Sequence, residues 1–406
     1  MKIGIAGPIS TESIAPFLPC DTATLPVGCG GAPLLGTLIG ELLSRGHEVS
    51  AYTMSPNMPL DLPQPVIAQG ERFKVYYCPQ RKHSVRLNGW HLGRIVDFFR
   101  LERRYLQQAI RIDNPDVVHA HWAYEFALAA ISSGKPHIVT CHDAPDVVLK
   151  YMPNIYRFGR YLMARHCLGQ AKLVTAVSPY LCNAVQKYCN VPIAVVQNPL
   201  PDFLLTQEYD KYSNKIDENN KTDQYRIAMV INGWNALKNP KPAIIAFNRL
   251  YVTDYPNLEL HIFGSGYGPG EQAEFWANNN NFKCGIHFHG YTPHCVLLEK
   301  LRAMDLMLHP ALEESCPMGI AEALALGLPV IGGESSGGVP WVIGDGGLTT
   351  DVSSPLAIEA ALKSLISNAE LLHTLSINAI RRAKAVFSAN VVANMYEIQY
   401  NHALDK

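Results

Sequence analysis

The sequence predicts an α/β protein of two domains, each built on a parallel sheet with helical crossovers. The chain has 406 residues, which at ~150 residues per domain suggests two or three domains. Short apolar runs that end in Gly, His, Ser or Pro recur along it, separated by helix-length segments, as expected of strands buried on both faces. This pattern starts afresh after the most polar stretch of the chain, residues 206–224.

The apolar runs predict the strands in order. The first-domain runs are Lys2–Gly7, Glu48–Thr53, Lys74–Cys78, Asp116–His121, His137–His142, Leu173–Ser178 and Ala194–Pro199. The second-domain runs are Arg226–Gly233, Glu259–Gly264, Ile286–Gly290, Leu306–Pro310 and Pro329–Gly333. Strands that alternate with helices in this way form Rossmann-like sheets, which bind ligands at the carboxyl ends of their strands.

The domain bounds follow from these runs and from the polar stretch. We predict a first domain over 1–205, a polar linker or exposed loop over 206–224 and a second domain over 225–385. A terminal helix is predicted over 386–406, where the residues have a helical pattern. Two such domains would leave a cleft at the carboxyl ends of both sheets.

Composition excludes several classes of protein. The chain has 34 Lys and Arg against 35 Asp and Glu, whereas a dedicated nucleic-acid binder needs a basic excess. No apolar run reaches the ~18 residues that span a bilayer, and no secretory signal is visible at the start. We therefore expect a soluble, cytoplasmic protein with reduced cysteines.

The sequence also predicts no metal site. The ten cysteines are scattered without a Cys-x-x-Cys pair, and cysteines and histidines do not pair at zinc-ligand spacing. No Asp-x-Asp, a pattern that commonly holds a metal ion, occurs in the sequence.

The strongest chemical signal is a pair of glutamates, Glu314 and Glu322, that follow the strand ending near His309. We expect Ser315 to cap a helix that contains Glu322, because Pro317 suits the first turn of a helix. Carboxylates at this edge could accept hydrogen bonds from sugar hydroxyls. The alternative is that both are solvated acids at the start of a helix, where the helix dipole favours them.

The whole string from Glu314 to Glu322, followed by Ala-Leu-Ala-Leu-Gly-Leu-Pro-Val, resembles the Glu-x7-Glu signature of the family 4 retaining glycosyltransferases. That family has the GT-B fold, two Rossmann-like domains that face a cleft. The resemblance extends over nearly the whole chain. It includes Gly30-Gly31, Val118–His121, Thr140–Asp143, Val177-Ser178, Gln197–Pro199, Gly233–Pro240, Phe263–Gly266, Phe288–Tyr291 and Phe387-Ser388.

The resemblance implies roles for individual residues of a catalytic and a donor-binding set. The catalytic set is Lys238, which matches the diphosphate-binding lysine, with Glu314 on the donor sugar and His142 near the reacting sugar. Glu322 would hold the ribose. The remaining donor-binding positions are Gly30, Gly31, Gly264, Gly266, Gly290, Tyr291, Ser315, Gly337 and Gly338. Gly337 and Gly338 could offer their backbone amides to the phosphates of the donor. Each of these assignments has a plain alternative: an exposed lysine, a packed histidine or a turn glycine.

Two further histidines precede His142. His119 and His121 lie on one predicted strand, and we expect at most one of them to reach a given face and both to be mainly structural.

The sequence departs from the pattern of the family at three places. Trp234 stands where an arginine is common, Cys316-Pro317 where Phe-Gly is common, and Trp341 where a glutamate is common. The expected function is a metal-independent retaining hexosyltransferase without a cofactor, which uses a UDP- or GDP-sugar and a saccharide or lipid-linked acceptor in polysaccharide or glycolipid synthesis. The alternatives are a sugar-nucleotide epimerase and an inert glycosyltransferase-like binding subunit.

Residues 72–111 form a basic segment within the otherwise neutral chain. It carries ten Lys and Arg against Asp97 and Glu102, with Trp90, Phe98 and Phe99 among them. This segment could dock on the inner face of an anionic membrane. The alternative is an ordinary solvated surface whose aromatic residues serve the core.

Overall fold

The structure, a computed structural model, describes residues 1–19, 21–206, 224–282 and 284–405. These residues form two compact units. The first comprises Met1–Pro201 and the last helix, and the second comprises the described part of Asp202–Ser388. Of the predicted linker 206–224, residues 207–223 lie outside the described residues.

The first unit has an eight-stranded sheet of order β3-β4-β2-β1-β5-β6-β7-β8. All neighbouring strands are parallel except β3, which is antiparallel to β4. The strands are β1 Lys2–Ala6, β2 Glu48–Ser55, β3 Val66–Gln69, β4 Phe73–Pro79, β5 Val117–His121, β6 His137–Cys141, β7 Val174–Ala176 and β8 Ile193–Val195.

Helices connect these strands and bury apolar stripes against the sheet. In α2, Leu35, Leu38, Ile39 and Leu42 are buried, at the spacing that places them on one helix face. Ser178 caps α7 by accepting a hydrogen bond from the Leu181 amide, and a proline follows it. The helices are α1 Thr11–Ile14, α2 Pro33–Ser44, α3 Arg100–Asp113, α4 Glu125–Ser133, α5 Pro145–Tyr151, α6 Ile155–Gln170 and α7 Pro179–Gln186.

The last helix of the chain, Ala389–Leu404, packs on the first unit. Its Glu397 carboxylate lies 2.8 Å from both Arg45 Nη1 and His47 Nε2. Its Tyr400 hydroxyl is 2.9 Å from His119 Nδ1 on β5. These ion pairs and buried hydrogen bonds attach the helix to α2 and to the centre of the first sheet.

The second unit has a six-stranded parallel sheet of order β11-β10-β9-β12-β13-β14. Its core includes Ile227, Leu260, Phe247 and Leu308, all fully buried. The strands are β9 Arg226–Val230, β10 Glu259–Phe263, β11 Ile286–Gly290, β12 Leu306–His309, β13 Val330–Gly333 and β14 Gly347–Thr350. The helices of the second unit are α8 Pro240–Thr253, α9 Gln272–Asn279, α10 His294–Arg302, α11 Met318–Ala325, α12 Val339–Ile343, α13 Pro355–Ile366 and α14 Ala369–Phe387. The last helix of the chain, which belongs to the first unit, is α15 Ala389–Leu404.

The predicted α/β class with two parallel sheets is confirmed. Two strands that the sequence did not predict, β3 and β14, lie at sheet edges and are only partly buried. No helix in the described ranges is both long and apolar enough to cross a membrane. None of the nine described cysteines forms a disulfide.

Candidate functional site

Lys238 lies in the loop that follows β9, at the carboxyl end of the second sheet. Asn235 Oδ1 accepts a hydrogen bond from the Lys238 amide at 3.0 Å. The next residue, Asn239, donates from Nδ2 to the carbonyls of Pro310 at 3.1 Å and Val352 at 2.9 Å. These bonds fasten the Lys238 loop to the loop that follows β12.

Glu314, in the loop after β12, forms an ion pair with Lys238. The Lys238 ammonium donates to Glu314 Oε1, and the two side chains are 21% and 24% exposed. Residues that are 76 positions apart in the chain therefore meet at the carboxyl ends of adjacent strands. The pair is partly desolvated yet accessible, so a bound anion could take the place of the carboxylate on Lys238.

His309, the last residue of β12, lies beneath this pair. Its Nε2 is 3.9 Å from Glu314 Oε1, and neither ring nitrogen has a hydrogen-bond partner among the described residues. Burial lowers the pKa of His309 from 6.5 to about 4, because the charged form loses its hydration. The ring is therefore neutral at pH 7.

Gly337 and Gly338 pack against the backbone of Glu314. Gly337 has a φ of +64°, and a Cβ there would lie 2.6 Å from the Glu314 carbonyl oxygen. The Gly338 amide donates to that oxygen at 2.7 Å. This amide is therefore already paired, which corrects the expectation that it is open to a phosphate.

Ser315 does not cap the following helix. Helix α11 begins at Met318, and Pro317 occupies the N-cap position without a side-chain hydrogen bond to the helix. Pro317 has extended backbone angles, so the helix starts too far along the chain for Ser315 to reach its first amides as a cap. The predicted capping role of Ser315 is wrong, and its predicted contact with the donor stays untested.

Glu322 lies on α11 and bonds to a residue of another helix. His294 Nε2, at the start of α10, is 2.8 Å from Glu322 Oε1. The hydrogen bond to Glu322 raises the pKa of His294. Glu322 is nearly buried, whereas His294 is about half exposed. The carboxylate is thus held in one orientation by a partly exposed imidazole.

Two predicted glycines, Gly264 and Gly266, lie in the loop after β10, and a third, Gly290, is the last residue of β11. Gly264 has a φ of +124°, and a Cβ there would lie 1.9 Å from the Ile231 carbonyl oxygen. The amide of Gly264 donates to the Gly290 carbonyl at 2.8 Å. The amides of Gly266 and Gly268 donate to Glu271 Oε2 at 2.9 and 2.6 Å. Close packing therefore requires Gly264, and Glu271 already occupies the Gly266 amide.

Two aromatic residues of the second unit, Tyr291 and Trp234, have different surroundings. Tyr291, directly after β11, is 76% exposed, so its ring is free to contact a ligand. Trp234 stands where the family commonly has an arginine and packs near Tyr267 and Trp276. The Lys241 ammonium lies 6.0 Å from the centre of the Trp234 ring, so a cation is present beside this position on α8.

His142 belongs to a histidine cluster in the first unit. Its Nε2 is 2.9 Å from His121 Nδ1, and its ring stacks on Trp122 at 4.0 Å. Burial lowers the pKa of His142 to about 3. The expectation that His119 and His121 reach different faces is wrong, since residues two apart on a strand share a face and their rings lie 4.0 Å apart.

Gly30 and Gly31 lie in the loop before α2. A Cβ at either position would meet nothing within 4 Å, although Gly31 has a φ of +114°. Gly28, just before them, is different, because a Cβ there would lie 2.4 Å from the Ile9 carbonyl oxygen. Packing therefore accounts for Gly28 and leaves open space beside Gly30 and Gly31.

The structure brings Lys238, Glu314 and the Gly337-Gly338 turn into contact and places Glu322 against His294. Gly30, Gly31 and His142 belong to the other unit. Sequence reasoning missed His309, His294 and Glu271. No local motif marks His294, because its partner Glu322 lies on another helix. Glu271 lies only three to five residues after the glycine amides that it accepts, so the sequence Gly-x-Gly followed closely by a glutamate could have indicated it.

Comparisons with known proteins agree with this architecture. The family model described as Glycosyltransferase Family 4 matches residues 30–202, and the model described as Glycosyl transferases group 1 matches residues 211–382. N-acetyl-alpha-D-glucosaminyl L-malate synthase of Bacillus anthracis is 25% identical over 399 residues, which cover 92% of this chain and 94% of that protein.

Solved structures share the fold over almost the whole chain. Sucrose-phosphate synthase from Thermosynechococcus elongatus superposes with a TM-score of 0.74 at 15% identity and covers 99% of this chain and 98% of that one. HepE from Anabaena in complex with UDP-glucose superposes with a TM-score of 0.64 at 14% identity, covering 100% and 99%. The two units are thus of the GT-B type, and the chain belongs to the family 4, group 1 glycosyltransferases.

Proposed function

We propose that this glycosyltransferase moves a sugar from a nucleotide-sugar to a hydroxyl group, with retention of anomeric configuration and without a metal ion. The observation that carries the proposal is the ion pair of Lys238 and Glu314 at the carboxyl ends of β9 and β12. A fixed ammonium there can neutralise a departing diphosphate, as a metal ion does in other enzymes. A carboxylate beside it can accept hydrogen bonds from sugar hydroxyls.

The donor would exchange partners with this pair. The diphosphate oxygens would take the Lys238 ammonium, and Glu314 would be released to the hydroxyls of the sugar. Glu322, held by His294 at 2.8 Å, would accept hydrogen bonds from the two ribose hydroxyls. Because His294 already holds the Glu322 carboxylate, little ordering of that side chain would be needed when the donor binds.

The reaction that we propose needs no separate catalytic base. The bond between the anomeric carbon and the phosphate oxygen breaks, and the acceptor oxygen attacks the anomeric carbon from the same face. The proton of the acceptor hydroxyl passes to the departing phosphate oxygen. His142, which the resemblance implies near the reacting sugar, would position the sugar as a neutral hydrogen-bonding ring, since burial lowers its pKa to about 3.

The donor is proposed to be a UDP- or GDP-sugar. The Anabaena neighbour was solved with UDP-glucose, and the Bacillus relative is named for a glucosaminyl transfer to L-malate. UDP-glucose and UDP-N-acetylglucosamine are therefore the first donors to test. The acceptors to test are L-malate as a small hydroxyl compound, oligosaccharides and lipid-linked sugars.

The decisive experiment combines donor screening with NMR of the product. We expect stabilisation of the protein by one nucleotide-sugar, transfer in the presence of EDTA, and a glycosidic bond with the anomeric configuration of the donor. Lys238→Met should lower transfer by about 10²-fold or more and keep the fold. Lys363→Met is the matched control, because Lys363 also forms an ion pair, with Asp254 on the surface.

Other outcomes would change the assignment. Loss of transfer in EDTA with unchanged thermal unfolding would overturn metal independence, and an inverted product would overturn retention. Isomerised donor in the absence of acceptor would identify an epimerase. If no nucleotide-sugar binds, the chain would be an inert binding subunit instead.

We also propose that the first unit contacts an anionic membrane through the loop after β4. Six apolar side chains are exposed there: Val85, Leu87, Trp90, Leu92, Val96 and Phe98. The basic residues Lys82, Arg86, Arg100 and Arg104 are exposed in the same segment. Exposed apolar side chains among cations are the features of a surface that binds anionic lipid.

Arg81 shows that not all of the basic segment serves this surface. It is buried and bonds to Asp97 and Glu102. The test is co-sedimentation with vesicles of phosphatidylglycerol or of phosphatidylcholine alone. We expect binding to the anionic vesicles only, weakened at high salt and in Trp90→Ser. Phe275→Ser, at an exposed aromatic residue of the second unit, should bind like wild type, and equal binding by Trp90→Ser would overturn the proposal.

A further inference from the structure

Three potential metal ligands meet on one face of the second sheet. Glu259 and His261 lie on β10, and His287 lies on the neighbouring strand β11. One carboxylate oxygen and one nitrogen from each ring all lie within 4.8 Å of one another. The cause is the strand register, since His261 is directly opposite His287 and Glu259, two residues before His261, points to the same face.

A hydrogen-bond network surrounds these ligands. His261 Nε2 is 3.1 Å from Glu259 Oε2, and His261 Nδ1 is 3.0 Å from Nε2 of His289. Glu259 also accepts hydrogen bonds from Gln224 at 3.0 Å and Arg226 at 3.2 Å. Metal-binding histidines commonly bond their second ring nitrogen to such a partner, which fixes the ring orientation.

We propose that Glu259, His261 and His287 bind a divalent transition metal ion, with Zn²⁺ as the reference ion. Two imidazoles and one carboxylate are a ligand set that zinc accepts, whereas magnesium and calcium prefer oxygen ligands alone. Ligands at ~2.0–2.1 Å from zinc lie ~3.4 Å apart in a tetrahedron. The three side chains would therefore draw slightly together around the ion, and a fourth position would remain for water.

The place of this cluster in the sheet indicates a structural or regulatory role. Glu259 is the first residue of β10, at the amino ends of the strands, whereas Lys238 and Glu314 follow the carboxyl ends of β9 and β12. Among the described strands, β11 is at the edge of the sheet and pairs only with β10. A metal ion shared by β10 and β11 would fasten this edge and does not require that the transfer reaction itself use a metal.

The sequence had pointed the other way. The spacing of cysteines and histidines along the chain predicts no zinc site, but two parallel strands that are separated by a whole helix bring the ligands together. The Glu-x-His of β10 and the His-x-His of β11 form a site only when the register of the two strands aligns them. The sequence alone does not reveal that register.

The test is zinc binding by the full chain without an affinity tag. The protein is treated with EDTA, dialysed and titrated with Zn²⁺ in a calorimeter, and its thermal unfolding is followed in parallel. We expect one Zn²⁺ per chain with micromolar or tighter affinity, and a rise in Tm because only the folded chain offers the site. Co²⁺ in place of zinc should give the visible absorption of a four-coordinate site with nitrogen and oxygen ligands.

The variants decide between this site and non-specific binding. His261→Asn, His287→Asn and the milder Glu259→Gln should each weaken zinc binding by at least about tenfold, which is ~1.4 kcal/mol, and remove the cobalt absorption. His166→Asn, at an exposed histidine of the first unit, should bind zinc like wild type. Absence of zinc binding by wild type, or unchanged affinity in folded Glu259→Gln and His287→Asn, would overturn the proposal, whatever the transferase assay shows.

Discussion

His294 Nε2 lies 2.8 Å from Glu322 Oε1, so the carboxylate that we assign to the ribose is held by an imidazole from the neighbouring helix α10. The same hydrogen bond raises the pKa of His294. A carboxylate with one oxygen fixed in this way has a defined orientation for the two hydroxyls of a ribose.

We therefore predict that His294→Ala weakens donor binding without slowing the chemical step. The donor KM should rise about tenfold, equal to ~1.4 kcal/mol, because the loss affects ground state and transition state equally. kcat should change by less than about twofold. Steady-state kinetics with varied donor would measure both. Cys295→Ser, at the exposed neighbouring residue, is the control, and an unchanged or lowered KM in His294→Ala would contradict the orienting role.

The ion pair of Lys238 and Glu314 leads to a second prediction. Lys238→Met and Glu314→Gln should each lower kcat by about 10²-fold or more, the loss typical of removing one group that stabilises a transition state. The double variant should lose little beyond the worse single variant, because the two groups act as one unit. Initial rates of wild type, the two single variants and the double variant would measure this coupling as a double-mutant cycle. Fully additive losses in the double variant would show that the two residues act independently.

The sequence predicted the strands of both sheets well because parallel strands buried on both faces are continuous apolar runs. The edge strands β3 and β14 were not predicted. Val66–Gln69 and Gly347–Thr350 are short and half exposed, so they do not form continuous apolar runs. The family resemblance supplied Lys238 and Glu314, and the structure places them in contact. Chemistry that depends on register or on helix packing, such as His294 with Glu322 or His261 with His287, has no local signature.

Three expectations from the sequence were wrong for reasons of backbone geometry and hydrogen bonding. Residues two apart on a strand share a face, which brings His119 and His121 together. Ser315 misses the N-cap because Pro317 delays the start of α11. The Gly338 amide is used by the Glu314 carbonyl. The first outcome follows from the two-residue period of a strand, and the other two follow from backbone conformation and a backbone hydrogen bond.

The buried ring of His309 predicts a pH dependence of stability. Its pKa falls from 6.5 to about 4 on folding, so between these values the unfolded chain binds a proton that the folded chain does not. The free energy of unfolding should therefore fall by ~1.4 kcal/mol per pH unit from this residue as the pH drops from about 6.5 to about 4. Urea unfolding of wild type and His309→Leu at a series of pH values would measure the difference.

His309→Leu removes both unpartnered ring nitrogens and the titrating group. Its stability relative to wild type should improve steadily as the pH falls through this window. His166→Leu, at an exposed position, should run parallel to wild type. If the curves of His309→Leu and wild type stayed parallel, proton binding by His309 would not differ between the folded and unfolded chains.

A substitution at Gly30 would distinguish a glycine that ligand binding requires from one that folding requires. A Cβ at Gly30 meets nothing within 4 Å, whereas one at Gly264 would lie 1.9 Å from the Ile231 carbonyl oxygen. Gly30→Ala should therefore change the free energy of unfolding by no more than ~0.5 kcal/mol. Its transferase activity should still fall at least about tenfold, because the absence of a Cβ would let the backbone approach the donor closely. Gly264→Ala should instead lose stability and activity together. Thermal unfolding and kinetics of the two variants would measure this contrast, and a fully active Gly30→Ala would assign Gly30 to the loop conformation alone and remove it from the donor-binding set.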